Sequence, residues 1–292
     1  MLFATKFPRT SPGSGEHKAG LAGGWPGFIL FAAGALLLLL VLPWRLRALR
    51  AGALEILQVA LLAGAAFALY GMAILLTEVV NAILLFYLTP VWSTLLMRFV
   101  LGVPVTRARA LVLICGFGGL AIILSGDGGW PWPRNAGDWM ALISGALWAC
   151  GTFVMYRGVK LAAFEQVLAF AAGGALCALL LAYVIGALAL GASATGSAAS
   201  GLALERLSAS SWTFVAVTAL LLVPTNFLMM FGVNRLDPGR VGVLLMLEVV
   251  VGVISASLYA GEPFGTHHGM GAVLIIGAGL TEVLYRPYAP GN

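Results

Sequence analysis

The chain has 292 residues, of which 61% are hydrophobic and 9% are charged, and its formal net charge is +5. A soluble globular domain carries about 25% charged residues, so this composition excludes an ordinary soluble protein. The positive charge does not indicate a nucleic-acid partner, because the basic residues lie between long apolar runs and do not form one patch. Cys115, Cys150 and Cys177 lie inside apolar runs, so neither a disulfide nor a metal site is expected.

Apolar runs of about 18 to 25 residues predict transmembrane helices, because a helix of this length crosses about 30 Å of hydrocarbon. The predicted spans are nine in number, at 27–43, 54–76, 79–101, 108–125, 138–157, 164–190, 212–234, 239–260 and 266–285. The fold class is therefore all-α, a polytopic membrane helical bundle.

The basic residues predict how the chain is oriented in the membrane. If the loops between the predicted spans alternate between two sides, one side receives eleven Lys or Arg residues and the other only Arg134 and Arg206. Because Lys and Arg concentrate in cytoplasmic loops, the richer side is predicted to be cytoplasmic. We expect a multi-pass protein of a bacterial-type inner membrane with a cytoplasmic C-terminus, surrounded by the lipid bilayer and without a nucleic-acid partner.

An internal repeat is predicted from two stretches that align without a gap. Residues 68–105 match residues 227–264 at an offset of 159, which places Glu78 on Asp237 and Thr89 on Glu248. Matched spans are five crossings apart, and this odd number implies that the two halves lie in opposite orientations. Inverted repeats of this kind are typical of secondary transporters, in which the halves rock about a site near the membrane midplane.

The two halves differ in the number of spans, with five in the second and four in the first. The expected counterpart of the span at 138–157 falls in the polar N-terminal tail, which cannot cross a bilayer. Either the protein has lost this first helix, or the chain start is altered or miscalled. The predicted organisation is a polar tail (1–26), a first repeat (27–125), an outward linker (126–137), a second repeat (138–287) and a C-terminal tail (288–292).

Three sequence motifs resemble those of a known family. The stretch Leu84-Leu85-Phe86-Tyr87-Leu88-Thr89-Pro90-Val91-Trp92-Ser93-Thr94-Leu95-Leu96, with Gly102-Val103-Pro104 after it, resembles the fourth helix of EamA-type carriers in the drug/metabolite transporter superfamily. Residues 244–255, followed by 261–264, are similar to the ninth helix, and residues 146–149 to the sixth. The resemblance implies ten helices in two five-helix repeats, no cofactor, and export of metabolites, with YddG-like aromatic amino-acid exporters among the members.

Glu248 is the main candidate for a functional residue. It lies eight residues after Arg240, which is about 12 Å of helical rise into the predicted span. A carboxylate at this depth is costly, and such residues are functional candidates that face a cavity or carry a proton. Ser255 and Tyr259 follow on the same helical face. The alternative is a neutral Glu248 that bridges two helices by a hydrogen bond.

Polar residues beside two prolines are further candidates for the substrate pathway. Thr89 is followed by Pro90, and Pro224 is followed by Thr225 and Asn226. A proline frees a backbone carbonyl inside a membrane helix, so either site bends its helix near the substrate or is a structural kink alone.

Three aromatic residues complete the predicted site. Trp148 lies on a helical stripe with Ser144 and Thr152, and the resemblance places the corresponding tryptophan near the central cavity of YddG-like exporters. Tyr70 and Tyr87 are weaker candidates of the same kind. Aromatic residues at helical spacing are also commonly packing residues.

The sequence favours a transporter that moves a small metabolite such as an amino acid by alternating access, without a cofactor. Protons are a candidate coupling ion, with Glu248 as the residue that would exchange them. An enzyme is not expected, because the three histidines, at positions 17, 267 and 268, lie in the N-terminal tail or at the outer end of the last predicted span, and neither an HExxH nor a GxSxG motif occurs. The alternative function is a non-transporting or truncated relative that acts as a membrane scaffold.

Overall fold

The computed structural model describes residues 25–39, 45, 49, 52–77, 79–124, 133–157, 161–192, 209–260 and 265–284. Every element within these ranges is helical, and none of them contains a strand. The predicted tails and most of the outward linker lie outside the described residues. The predicted all-α class is confirmed for the part of the chain that the structure describes.

The described helices follow the predicted spans closely. In chain order they are α1 (Trp25–Leu39), α2 (Ala53–Val59), a π-helical turn (Ala60–Gly64), α3 (Ala65–Leu76), α4 (Val79–Phe86), α5 (Thr89–Leu101), α6 (Arg107–Leu124), α7 (Ala136–Tyr156), α8 (Ala163–Ala192), α9 (Ala209–Val233), α10 (Pro238–Ala260) and α11 (Thr266–Leu284).

Several of these helices are long and apolar enough to cross a membrane. Within the described residues, 5 segments meet this standard: Ala53–Leu76, Asn81–Leu101, Ala136–Tyr156, Ala163–Val184 and Ala216–Val233. A helix suits such sequences because lipid offers no hydrogen-bond partners, so each backbone amide must be satisfied within its own segment. The chain is therefore a polytopic helical membrane protein, while the full count of nine spans stays a prediction.

Small residues allow one very close helix crossing in the middle of the bundle. A Cβ atom added to Gly64 would lie 2.7 Å from the Phe170 carbonyl oxygen, and one added to Gly173 would collide with the Ala60 carbonyl oxygen. The π-helical turn and α8 therefore cross with their backbones in contact. Glycine at such interfaces is the usual device for close packing in membranes, where lipid supplies no hydrophobic drive for association.

The helix α7 lies at the centre of the packing between the two predicted halves. It packs along α3, α4 and α5, and more lightly against α10, while α1 packs on α8 and α6 on α11. Its residues Ala141, Trp148 and Ala149 have no exposed surface. A Cβ atom added to Gly145 would lie 2.5 Å from the Phe86 carbonyl oxygen. The small residues Ala141, Gly145 and Ala149, spaced four positions apart, therefore allow α7 to pack closely on its neighbours.

Polar contacts connect the start of α7 to the neighbouring turn after α3. Asn135 caps the helix by accepting a hydrogen bond from the Asp138 backbone amide at 2.9 Å. The fully buried Asp138 carboxylate also accepts from the Arg134 amide at 2.8 Å and from the Thr77 hydroxyl. The turn after α3 is thereby tied to the start of α7.

A second polar cluster lies at the start of α10, on the side predicted to be cytoplasmic. The Asp237 carboxylate lies 3.1 Å from Arg109 Nη2 and 3.1 Å from Arg240 Nε. It also accepts a hydrogen bond from the Arg240 backbone amide at 3.1 Å, as a residue that caps a helix start does. This cluster joins the starts of α6 and α10.

Candidate functional site

The predicted residues Tyr87 and Glu248 meet although they lie far apart in the sequence. Tyr87 occupies the turn between α4 and α5 and is 5% exposed. Its hydroxyl lies 3.0 Å from the Leu245 carbonyl oxygen and 3.4 Å from Glu248 Oε2, and can donate to either. Tyr70 lies within electrostatic range of the same carboxylate. The contact joins the two predicted repeats at a polar point between α4 and α10.

The Thr89-Pro90 pair stabilises a break in the helix that the sequence predicted as one span. Pro90 lacks the amide hydrogen that would bond the Phe86 carbonyl four residues earlier. The Thr89 hydroxyl takes that place, with its oxygen 2.7 Å from the Phe86 carbonyl oxygen and 3.2 Å from the Gly145 carbonyl oxygen. The freed carbonyl is thus satisfied without water, and the turn that carries Tyr87 is held against α7.

Aromatic rings surround the predicted Trp148 side chain. Its ring centroid lies 5.0 Å from that of Phe67 and 6.4 Å from that of Phe170, both in edge-on geometry. Phe67 in turn contacts Phe86, and Phe86 contacts Tyr87, with centroids 5.8 Å and 5.6 Å apart. We call Phe67, Tyr70, Phe86, Tyr87, Trp148 and Phe170 the aromatic cluster. It links Trp148 to the Tyr87–Glu248 contact through a continuous series of rings.

The aromatic cluster contains a polar group without a protein partner. Trp148 is fully buried, and its indole Nε1 has no hydrogen-bond acceptor among the described residues. An unpaired buried donor of this kind costs about 1–3 kcal/mol, so a partner supplied by a bound molecule would be favourable. The Trp148 indole is therefore the donor in the cluster that a substrate could use.

Glu248 and its predicted repeat-equivalent Thr89 differ in their surroundings. Thr89 is 2% exposed because α7 covers it. Glu248 is exposed, as are Val251 and Leu258 further along α10. The carboxylate therefore lies on a face of α10 that no described helix covers, with the Tyr87 hydroxyl on its other side.

Taken together, the described site offers a carboxylate, phenol and indole donors, and aromatic faces. A carboxylate and aromatic faces both attract a cationic amine, whereas the apolar rings bury a hydrophobic side chain. No group of three or more His, Cys, Asp or Glu side chains that could hold a metal ion is present among the described residues. These groups are able to contact both a charged and an apolar part of a small molecule.

Comparison with known proteins identifies the family. Residues 135–281, about half of the chain, match the EamA-like transporter family. The chain belongs to that family. This EamA-like transporter is thus a multi-pass membrane protein of the drug/metabolite transporter superfamily, as the sequence motifs implied. The family is one of transporters, which agrees with the prediction that the protein is not an enzyme.

Solved structures show that the fold occurs elsewhere. A crystal structure with 17% sequence identity has a TM-score of 0.64, covering 91% of this chain and 90% of the other. At this identity the similarity shows the fold of the EamA-like transporter alone. No curated protein matches the chain.

The remaining predicted site residues of this EamA-like transporter lie on α9 and α10. Thr225 is exposed on α9, and its hydroxyl donates to the Leu221 carbonyl of its own helix at 2.8 Å. Asn226 is half-buried beside it, and Pro224 lies within a continuous α9. The side chains of Ser255 and Tyr259 lie outside the described part of the chain.

Sequence reasoning missed several residues of the transporter's interior. Phe67, Phe86 and Phe170 were not distinguished from other apolar residues, although they surround Trp148. Ser93, one turn after Thr89, is fully buried, and its hydroxyl has no partner among the described residues. Glu165 and Gln166 are also buried, and a usable signal existed, because two adjacent polar residues open an otherwise apolar run.

Proposed function

We propose that this EamA-like transporter exports a small amphipathic metabolite, such as an amino acid, across a bacterial-type inner membrane. The observation that carries the proposal is the Glu248 carboxylate, which lies 3.4 Å from the Tyr87 hydroxyl and is connected through ring contacts to the buried Trp148. An ionisable side chain in a membrane span is costly, and such residues usually mark a substrate or ion pathway.

The chemistry of an amino acid fits these groups in three ways. The Glu248 carboxylate would attract the ammonium group, and the aromatic faces would pack on an apolar side chain. The unpaired Trp148 indole N–H would donate to the substrate carboxylate. Small-molecule sites commonly combine a mostly apolar lining with a few polar groups of this kind.

The predicted inverted repeat supports alternating access as the transport mechanism. In that mechanism the two halves rock about a central site. Tyr87 belongs to the first predicted half and Glu248 to the second, so their contact would change when the halves move. Proton exchange by Glu248 stays a separate prediction, which would fail if Glu248→Gln kept the wild-type pH dependence of transport.

The test is counterflow in liposomes that contain the purified chain, with a panel of labelled amino acids and other metabolites. Glu248→Gln removes the charge, and Trp148→Phe removes the indole N–H while keeping an aromatic ring. Glu55→Gln and Trp139→Ala are matched controls, because Glu55 is partly exposed on α2 and Trp139 is 51% exposed on α7. We expect loss of exchange in the two site variants and wild-type exchange in the two controls.

The alternative is a non-transporting or truncated relative that acts as a membrane scaffold. Monodisperse wild-type protein that exchanges no member of the panel would favour this alternative. Exchange that all four variants retain would support transport but would contradict the proposed site.

A further inference from the structure

Two arginines lie where the start of α8 meets the end of α9, and each packs on a phenylalanine ring. The Arg45 guanidinium carbon lies 5.8 Å from the centre of the Phe164 ring, in the first turn of α8. The Arg235 guanidinium carbon lies 3.4 Å from the centre of the Phe231 ring, in the last turn of α9. We call Arg45, Phe164, Phe231 and Arg235 the two-arginine surface.

Aromatic contacts connect the two sides of this surface. The ring centroids of Phe164 on α8 and Phe227 on α9 lie 6.4 Å apart. Phe227 lies one helical turn before Phe231, which carries the second arginine. A continuous series of side chains therefore leads from Arg45 across the seam between α8 and α9 to Arg235.

A pair of amide side chains holds the same seam together by a second route. Gln166 Nε2 donates to Asn234 Oδ1 at 2.9 Å, and Asn234 Nδ2 donates to Gln166 Oε1 at 2.7 Å. Gln166 follows Glu165, whose Oε1 lies 3.4 Å from Arg45 Nη1, and Asn234 directly precedes Arg235. The two arginines are thus held at one end of one helix seam by two independent sets of contacts.

Both guanidinium groups reach the surface of the bundle. The Arg45 side chain is 46% exposed, and its contact with Glu165 uses Nη1 and neither Nη2 nor Nε. Arg235 is exposed and takes part in none of the ion pairs formed among the described residues. A guanidinium presents several N–H donors in a planar fork that matches the oxygens of a phosphate. The two-arginine surface therefore suits an anion, and a phosphate in particular.

The apolar surface beside the arginines favours a lipid over a dissolved anion. Leu221, Leu228 and Phe231 are 55%, 73% and 53% exposed and lie on one face of α9 that leads to Arg235. From Leu221 to Phe231 the helix rises about 15 Å, which is about half of the hydrocarbon core and so the depth of one leaflet. Arginine stems commonly lie along apolar surface with the charged group at the level of the lipid headgroups.

We propose that the two-arginine surface binds the phosphate of an anionic phospholipid whose acyl chains lie along the exposed face of α9. Arg45 and Arg235 donate hydrogen bonds to the phosphate oxygens, and Leu221 and Leu228 contact the acyl chains. Basic surfaces between transmembrane helices are typical sites for anionic headgroups. A headgroup that carries its own ammonium group would be repelled by the same arginines, so a lipid without net charge binds more weakly. The proposal does not depend on the proposed transport function.

The experiment measures lipid binding to the purified, delipidated full chain in detergent. Native mass spectrometry resolves the adduct with one lipid and gives its Kd, with phosphatidylglycerol as the anionic probe and phosphatidylcholine of identical acyl chains as the neutral one. The proteins are the wild type, Arg45→Gln, Arg235→Gln and the double variant. Arg98→Gln is the matched control, because Arg98 is an exposed arginine in the last turn of another helix, α5, on the same predicted side.

We expect the wild type to bind phosphatidylglycerol more tightly than phosphatidylcholine. Each single variant should raise the Kd for phosphatidylglycerol about tenfold, because a charged hydrogen-bond donor is lost, and the double variant should bind both lipids equally. Arg98→Gln should match the wild type. Equal wild-type affinities for the two lipids, an unchanged Kd in either single variant, or an equal loss in Arg98→Gln would overturn the proposal. Should Arg45→Gln fail to fold, Arg235→Gln decides, because it breaks no described ion pair.

A competition experiment distinguishes a lipid from a dissolved phosphate. Glycerol 3-phosphate supplies the charged group without acyl chains and is added at the concentration of the bound phosphatidylglycerol. We expect the lipid adduct to persist, because the face of α9 contributes to its binding. Displacement of the lipid at equal concentration would mean that the surface binds a soluble anion, and this result would overturn the assignment to a phospholipid.

Discussion

The Thr89 hydroxyl oxygen lies 2.7 Å from the Phe86 carbonyl oxygen, the acceptor that Pro90 leaves without an amide donor. Thr89→Val should therefore leave a buried carbonyl without a hydrogen-bond donor and lower the free energy of unfolding by about 1–3 kcal/mol. Thr89→Ser keeps the hydroxyl and should stay close to the wild type. Thermal unfolding in detergent measures the difference, and equal midpoints for the Val and Ser variants would show that another group satisfies the carbonyl.

Gly145 should tolerate no side chain, because a Cβ atom there would lie 2.5 Å from the Phe86 carbonyl oxygen. Gly145→Ala must push α7 away from α4 and should cost about 1–3 kcal/mol of stability. Gly71→Ala is the matched control, since nothing lies within 4 Å of the added atom. The same unfolding assay applies, and a Gly145→Ala protein as stable as Gly71→Ala would contradict the close packing of α7.

Removing the Tyr87 hydroxyl should weaken substrate exchange, because Glu248 loses a hydrogen-bond donor. Tyr87→Phe loses a donor that lies 3.4 Å from the carboxylate. A hydrogen bond to a charged group contributes about 1.5–3 kcal/mol, so a loss of exchange of about tenfold to a hundredfold is expected. The measurement is counterflow, with Tyr156→Phe as control because Tyr156 is 40% exposed. Wild-type exchange by Tyr87→Phe would mean that this phenol does not act on the substrate site.

The Gln166–Asn234 pair should behave as one unit. Either Gln166→Leu or Asn234→Leu leaves one amide without its partner and should cost about 1–3 kcal/mol. The double variant removes both amides, so its loss of stability should be clearly smaller than the sum of the two single losses. The measurement is thermal unfolding of the wild type, the two single variants and the double variant. Additive losses would show that the two amides act independently.

The predicted orientation of the chain leads to a direct test with reporter fusions after Asn292. A fluorescent protein that folds only in the cytoplasm should be bright there, and a phosphatase that works only outside should be inactive. The reason is the excess of Lys and Arg in the loops on that side. A fusion inserted in the loop after Ala192 should give the opposite pattern, and an active phosphatase after Asn292 would reverse the predicted topology.

The sequence was most informative about the helices and least informative about their contacts. The predicted span 138–157 and the observed α7 differ by two residues at the start and one at the end. The Tyr87–Glu248 contact could not be predicted, because the two residues lie 161 positions apart. Glu165 was overlooked because a carboxylate at the end of an apolar run normally reaches water, whereas here it is 1% exposed and paired with Arg45.

By itself the sequence determined that the chain crosses a membrane as helices, because apolar runs of this length have no other way to satisfy their backbone groups in lipid. It also indicated that Pro90 disturbs its helix, since a missing amide hydrogen is a local property, whereas Pro224 lies within a continuous α9. Only the tertiary structure decided that Trp148 is enclosed by Phe67 and Phe170, and that Glu248 meets Tyr87. Helices that are apolar on nearly every side carry no clear stripe to indicate which face packs inward, so their rotation and partners are settled by the fit of small and large side chains in three dimensions.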